Sequence, residues 1–225
     1  DWSMTTTTGK VTAEGVVHLP STVTVTVTVT VTGQVVVDVV HRLLTRVALT
    51  RTGFPGAAVS HIINTHGHAD HTEGNATAVR LTGAAVAAHV DAPDRPDMTL
   101  ADGDELAVGA LRLRCLHTPG HCVDHLVLYE PSYHLLVTGD LLFVGKVGGT
   151  QTDSDARTEW VSLQRLLDTI PNETTVWPGH DYGARPSSTV GLERYTNPFL
   201  QCGDVDAFLQ LRGNWPSYKL RMGLK

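Results

Sequence analysis

Thr65-His66-Gly67-His68-Ala69-Asp70-His71 puts three histidines and a carboxylate within six positions. Imidazole nitrogen with carboxylate oxygen suits zinc, iron or manganese, whereas a Mg²⁺ or Ca²⁺ site takes nearly all oxygen. A regular helix cannot bring all four groups to one point, because side chains at i and i+2 share a face only on an extended segment. The run therefore predicts a buried strand over 58–64 that opens into a loop where His66 and His68 face one pocket. Asp70 and His71 then turn back toward that pocket from the start of a helix. The plainer alternative is a histidine-rich surface loop.

Three further positions share this character, each a potential ligand at a strand end in a glycine-containing turn. They are His121 in Thr118-Pro119-Gly120-His121, Asp140 in Thr138-Gly139-Asp140, and His180 in Pro178-Gly179-His180-Asp181-Tyr182. Glycine lets the backbone turn sharply and project the next side chain over a sheet edge. Singly each signal is weak. Joined to the first motif, they form a set that disfavours the surface loop.

Around these turns the chain alternates strand and helix signals. The Thr-Val repeat over 22–32 is a strong period-2 strand pattern, and with Val35-Val36-Val37 beyond Gly33-Gln34 it suggests a hairpin. Its regularity leaves register poorly specified, and no function is drawn from it. Residues 39–52 read as a helix broken by Gly53-Phe54-Pro55-Gly56, and 75–81 as a short helix ended by Gly83 before a strand over 84–89. Hairpins are expected over 106–117 and 126–137. The clearest helix is 156–170, with Trp160, Leu163, Leu166, Leu167 and Ile170 on one face and caps expected from 153–155. A strand over 174–177 and closing helices over 187–195 and 204–211 complete the pattern, which suits two packed sheets with helices outside.

Composition excludes other classes. The 225 residues are 41% hydrophobic and 18% charged with a formal net charge of −6 and no long basic run, so nucleic acid is not an expected partner. Cys115, Cys122 and Cys202 are dispersed and form no CxxC, which argues against a disulfide framework or a zinc ribbon. No stretch reads as a membrane span or signal peptide, so a cytoplasmic protein without a membrane partner is expected.

Taken in order, the four motifs resemble those of the metallo-β-lactamase superfamily over about residues 35–200. The resemblance implies an α+β fold, an αββα sandwich of two mixed β-sheets flanked by helices, with metals at one sheet edge. Residues 1–32 would be an N-terminal strand segment of the same domain, 33–200 the catalytic part and 201–225 a short helical tail. Carried over residue by residue, His66, His68 and His121 would hold one metal; Asp70, His71 and His180 a second; and Asp140 would bridge them. Asp38 falls where the family has an aspartate after an early strand, with Val39-Val40 in place of its usual Pro-Gly. Two divalent ions (zinc, iron or manganese) would share and acidify a water, giving a hydroxide nucleophile at neutral pH, and would polarise a carbonyl. Asp70 is expected to accept a proton near the leaving group, Asp140 to fix the metal spacing, and Tyr182 to donate to the oxyanion or substrate. His61, His117, His125 and His134 read as structural or supporting; Cys122, beside His121, offers a soft ligand but is read as a small buried residue.

Asp140, Gly139-Asp140-Leu141-Leu142-Phe143-Val144-Gly145 and the Ser188 to Pro198 stretch resemble the hydroxyacylglutathione hydrolase (glyoxalase II) and persulfide dioxygenase branch. Both groups carry a basic residue where this chain has Gly149, and Lys146 lies three positions earlier. The expected substrate is a small-molecule thioester or ester, with the carrier open and a homodimer left open. The alternative is a mononuclear Fe(II) dioxygenase on His66, His121 and Asp140.

Overall fold

The computed structural model describes residues 59–108 and 111–223, together with the backbone of three short strands at 12–14, 28–30 and 35–37. The expected helix over 39–52, its break at 53–56, Asp38 and most of the Thr-Val repeat lie outside the described residues.

Two sheets carry the architecture. In the first, β3 (Val35–Val37), β4 (His61–Ile63), β5 (Ala85–His89) and β6 (Met98–Leu100) are neighbours in that order and parallel throughout. The second contains β7 (Glu105–Val108), β8 (Leu111–His117), β9 (Leu126–Glu130), β10 (Leu135–Gly139), β13 (Thr175–Pro178) and β14 (Ser188–Thr189), in the order β14-β13-β10-β9-β8-β7. It is mixed because β10 and β13 run parallel while its other neighbours are antiparallel. Two small ribbons pair separately: β1 (Thr12–Glu14) with β2 (Thr28–Thr30), and β11 (Leu142–Phe143) with β12 (Lys146–Val147).

The helices are α1 (Ala69–Thr72), α2 (Asn75–Thr82), α3 (Asp153–Thr169), α4 (Val190–Thr196), α5 (Val205–Gly213) and α6 (Trp215–Met222). Strand alternation sorts the core into layers. Ile63, Leu126, Leu128, Leu135 and Val137 face inward between the sheets. Their neighbours Val127, Tyr129 and Leu136 face outward onto Leu163, Leu166 and Leu167 of α3 and Phe208 of α5. On the other side Ile62 packs on Ala78 of α2. This is the αββα layering that the resemblance implies. Each fully buried aliphatic side chain is worth about 1.5–3 kcal/mol, so the strands are firmly held where their ends carry the glycine turns. The 201–225 segment adds to the same core, with Phe208 fully buried and Trp215 4.7 Å from Phe199 between ring centroids.

Several local expectations are corrected. Among the described residues β2 and β3 belong to different sheets, so the hairpin across Gly33 does not form between them. α3 begins at 153, capped by Thr152 in a reciprocal box with Asp155, so the cap precedes the expected 153–155. Residues 188–189 pair with β13 before α4 starts, and Thr189 caps that helix.

Candidate metal centre

The fold delivers the motif residues to one edge. β4 runs out at Asn64, whose side-chain amide donates to His71 O at 3.0 Å and exchanges bonds with the Asn75 amide. That clamp ties the loop to α2. Leu126 N–H donates to Thr65 O at 2.7 Å, joining the loop to the second sheet. Because β10 and β13 are parallel neighbours, Asp140 and His180 emerge side by side, with Gly179 N–H donating to Gly139 O at 2.8 Å.

The seven expected donors converge in two groups, and Cys122 Sγ joins the first, within 4.8 Å of donor atoms of His66, His68 and His121. In one, His68 Nδ1 lies 3.0 Å from His66 Nε2 and 3.0 Å from His121 Nε2. In the other, His180 Nε2 lies 3.3 Å from His71 Nε2 and 3.3 Å from Asp70 Oδ2. Asp140 stands between them: Oδ2 is 3.6 Å from His121 Nε2 and 3.3 Å from His180 Nε2, and Oδ1 is 3.4 Å from His71 Nε2. A shared proton satisfies at most one pair of facing nitrogens, whereas one ion satisfies all of them. Nitrogens arranged tetrahedrally around zinc lie about 3.3 Å apart, so the spacing fits a metal. Asp140 Oδ1, buried without a hydrogen-bond partner among the described residues, fits the same reading.

Residues 19–180 match the family described as the metallo-beta-lactamase superfamily. The chain belongs to that superfamily. It is 33% identical to a hydroxyacylglutathione hydrolase of Methylobacterium nodulans over 70% of this chain and 73% of that protein. With one of Polaromonas sp. (strain JS666) it is 36% identical over 56% of this chain, spanning half of that relative's length. Among solved structures, ETHE1 from Myxococcus xanthus superposes with a TM-score of 0.72 at 26% identity, covering 95% of this chain and 90% of that one. TTHA1623, solved in a di-iron-bound form, gives a TM-score of 0.61 at 28% identity over 89% of this chain and all of its own.

In this superfamily member the electrostatics suit ligation. Burial, aided by neighbouring His71 and His125, holds the His66 pKa far below that of a free imidazole. Burial also lowers His121, against the pull of Asp140. For Asp140 burial alone would raise the pKa, but the adjoining His180 and His71 imidazoles hold the carboxyl well below the usual range. Neutral imidazoles around an ionised carboxylate are the protonation states that a divalent cation needs.

The remaining predicted residues fall as follows. Tyr182 is half-exposed, and its ring stacks on His180 at 4.8 Å and 22°. Burial, then Asp140 and Asp70, raises its pKa, so the phenol keeps its proton and remains a donor. Lys146 Nζ sits 4.3 Å from the Tyr182 ring centroid, which brings this cation to the site edge. His125 supports the centre. Asp140 N–H donates to its Nε2 at 3.0 Å, leaving its Nδ1 proton for the Thr118 hydroxyl at 2.9 Å, and burial pushes its pKa down to about 3. His61, His117 and His134 take structural places, His117 stacking on His89 at 4.0 Å. Sequence reasoning missed two features. Gly149 O lies 2.7 Å from His121 Nδ1, and Cys122 Sγ lies 3.1 Å from His68 Nε2. Adjacency of Cys122 to His121 was the one available hint.

Proposed function

We propose that this protein is a dinuclear metallohydrolase that cleaves a thioester or ester of a small acid, a hydroxyacylglutathione-like substrate among them. The observation that carries the reading is Asp140, with one oxygen or the other within 3.6 Å of His121, His180 and His71, so that a single carboxylate spans both donor groups. In this reading His66, His68 and His121 hold one ion, Asp70, His71 and His180 the other, and Asp140 bridges. A bound pair of divalent ions supplies a hydroxide nucleophile at neutral pH and polarises the substrate carbonyl.

The chain's own groups do the rest. The Asp70 side chain is half-exposed beside His180, where it can accept a proton close to the leaving thiol. The Tyr182 hydroxyl donates to the oxyanion or the substrate. Lys146 is offered in place of the base absent at Gly149, so a carrier carboxylate meets a point charge from a different direction. His125 holds the Asp140 backbone, and hence the bridge, in register.

The named relatives support this reading, as does the second donor group, which a mononuclear dioxygenase on His66, His121 and Asp140 does not require. The likeness to ETHE1 keeps that dioxygenase as the competitor. A panel of hydroxyacyl thioesters of glutathione and simpler thiols, run with metal-loaded protein and an oxygen electrode, separates them. Thiol release without oxygen uptake is expected. Oxygen uptake with a glutathione persulfide and no thioester cleavage would overturn the proposal.

A further inference from the structure

Each histidine of the first donor group is held at its far ring nitrogen by a different neutral partner. His121 Nδ1 lies 2.7 Å from Gly149 O, and His66 Nδ1 lies 3.1 Å from Thr65 Oγ1. A carbonyl oxygen only accepts, so His121 carries its proton on Nδ1 and presents the Nε2 lone pair inward. His68 is turned the other way. Its Nδ1 faces His66 and His121, and its far nitrogen, Nε2, lies 3.1 Å from Cys122 Sγ. Unlike His66, His68 is exposed, so packing does not fix its ring. Among the described residues, Cys122 Sγ is the hydrogen-bonding neighbour of that far nitrogen.

We propose that Cys122 is a positioning residue of this centre: its sulfur accepts from His68 Nε2–H, which fixes the tautomer and ring angle that aim Nδ1 at the metal position, without itself being a ligand. Cys122 Sγ lies within 4.8 Å of donor atoms of His66, His68 and His121, so cobalt(II) spectra decide between an outer partner and a ligand. It is also coupled to a second ligand, because Gly120 N–H donates to Cys122 O at 3.2 Å and closes the turn that carries His121. One turn thus orients His121 through the backbone and His68 through a side chain. A thiol is a weak acceptor, so the expected effect lies at the low end of the 10–100-fold range typical of outer partners of metal-bound histidines.

The inference rests on His68 being a metal ligand, and its test separates the two. Zinc dissociation constants are measured by chelator competition for the full chain and for Cys122→Ala and Cys122→Ser, with cobalt(II) spectra of each. Cys122→Ala should weaken the tighter site about tenfold. Cys122→Ser, whose hydroxyl still accepts, should recover most of that loss, and cobalt-loaded wild-type protein should show no sulfur-to-cobalt charge-transfer band. Wild-type affinity in Cys122→Ala would overturn the positioning role while leaving the metal centre intact. A charge-transfer band present in wild type and lost in Cys122→Ser would make the sulfur a ligand and overturn it differently. Failure of the wild-type protein to bind zinc or cobalt would remove the metal centre and this role together. Cys122→Val, closer in volume, repeats the comparison should Cys122→Ala not fold.

Discussion

At the scale of single residues the account turns on Asp140. Replacing it with alanine removes the carboxylate between the two donor groups; occupancy should fall from two ions to one or fewer, and thioester turnover by about 10³-fold, equivalent to several kcal/mol of lost stabilisation. Elemental analysis and a thiol-release assay check both. Its backbone support is testable separately. His125→Leu leaves the Asp140 N–H without its partner, at about 1–3 kcal/mol for a buried group, and leaves the Thr118 hydroxyl only the backbone oxygen of residue 125 at 3.5 Å; denaturant unfolding should show that loss together with weaker metal retention. The candidate ligands were legible in the sequence because metal chemistry favours few residue types and four of the seven sit in one motif. The roles of Cys122 and Gly149 were not, because a thiol or a backbone carbonyl becomes a histidine partner only when separate turns meet.

Among elements, the glycine turns decide where side chains point. Gly139 has φ +47°, and a Cβ there would stand 2.7 Å from Thr65 Oγ1 and 2.8 Å from His125 Nε2. Gly139→Ala should therefore cost more than the roughly 1–2 kcal/mol of a left-handed residue alone, and should reduce metal content by displacing Asp140. Thr152→Ala is the contrast. It removes the α3 cap at a cost of about 1 kcal/mol, lowering the melting temperature while leaving metal content as it was. Longer strands and helices were legible from their patterns: the alternation of β8, the continuous apolar runs of β9 and β10, and the apolar stripe of α3. Short elements were not. β6 has three residues and the β11–β12 ribbon two per strand, too few to show a period, and their pairing is supplied by neighbours already in place. The α3 cap was misplaced by one residue because Asp153, Asp155 and Thr152 all suit that role by type.

For the whole molecule, buried titratable groups make the stability of the metal-free protein depend on pH. The folded pKa of His125 is about 3 against 6.5 for a free imidazole, so below about pH 6.5 the unfolded chain binds the extra proton and stability falls with acidification. Glu159 acts in the opposite sense. Burial raises its pKa well above 4.5, so the folded state holds the proton and stability is lost as pH rises above that value toward the folded pKa. Thermal melts of apo protein across pH should show both flanks, the acid one easing in His125→Leu and the alkaline one in Glu159→Gln. Among the described residues no helix is long and apolar enough to cross a membrane. The proposed centre joins two metal positions through one carboxylate in a thioester hydrolase. Its most direct test is metal stoichiometry of protein purified without added metal, measured beside thioester cleavage and oxygen uptake on the same preparation. About two equivalents of zinc, iron or manganese per chain, with thiol release and no oxygen consumption, is the predicted result. A single equivalent of iron with oxygen consumed and thioesters untouched would contradict it.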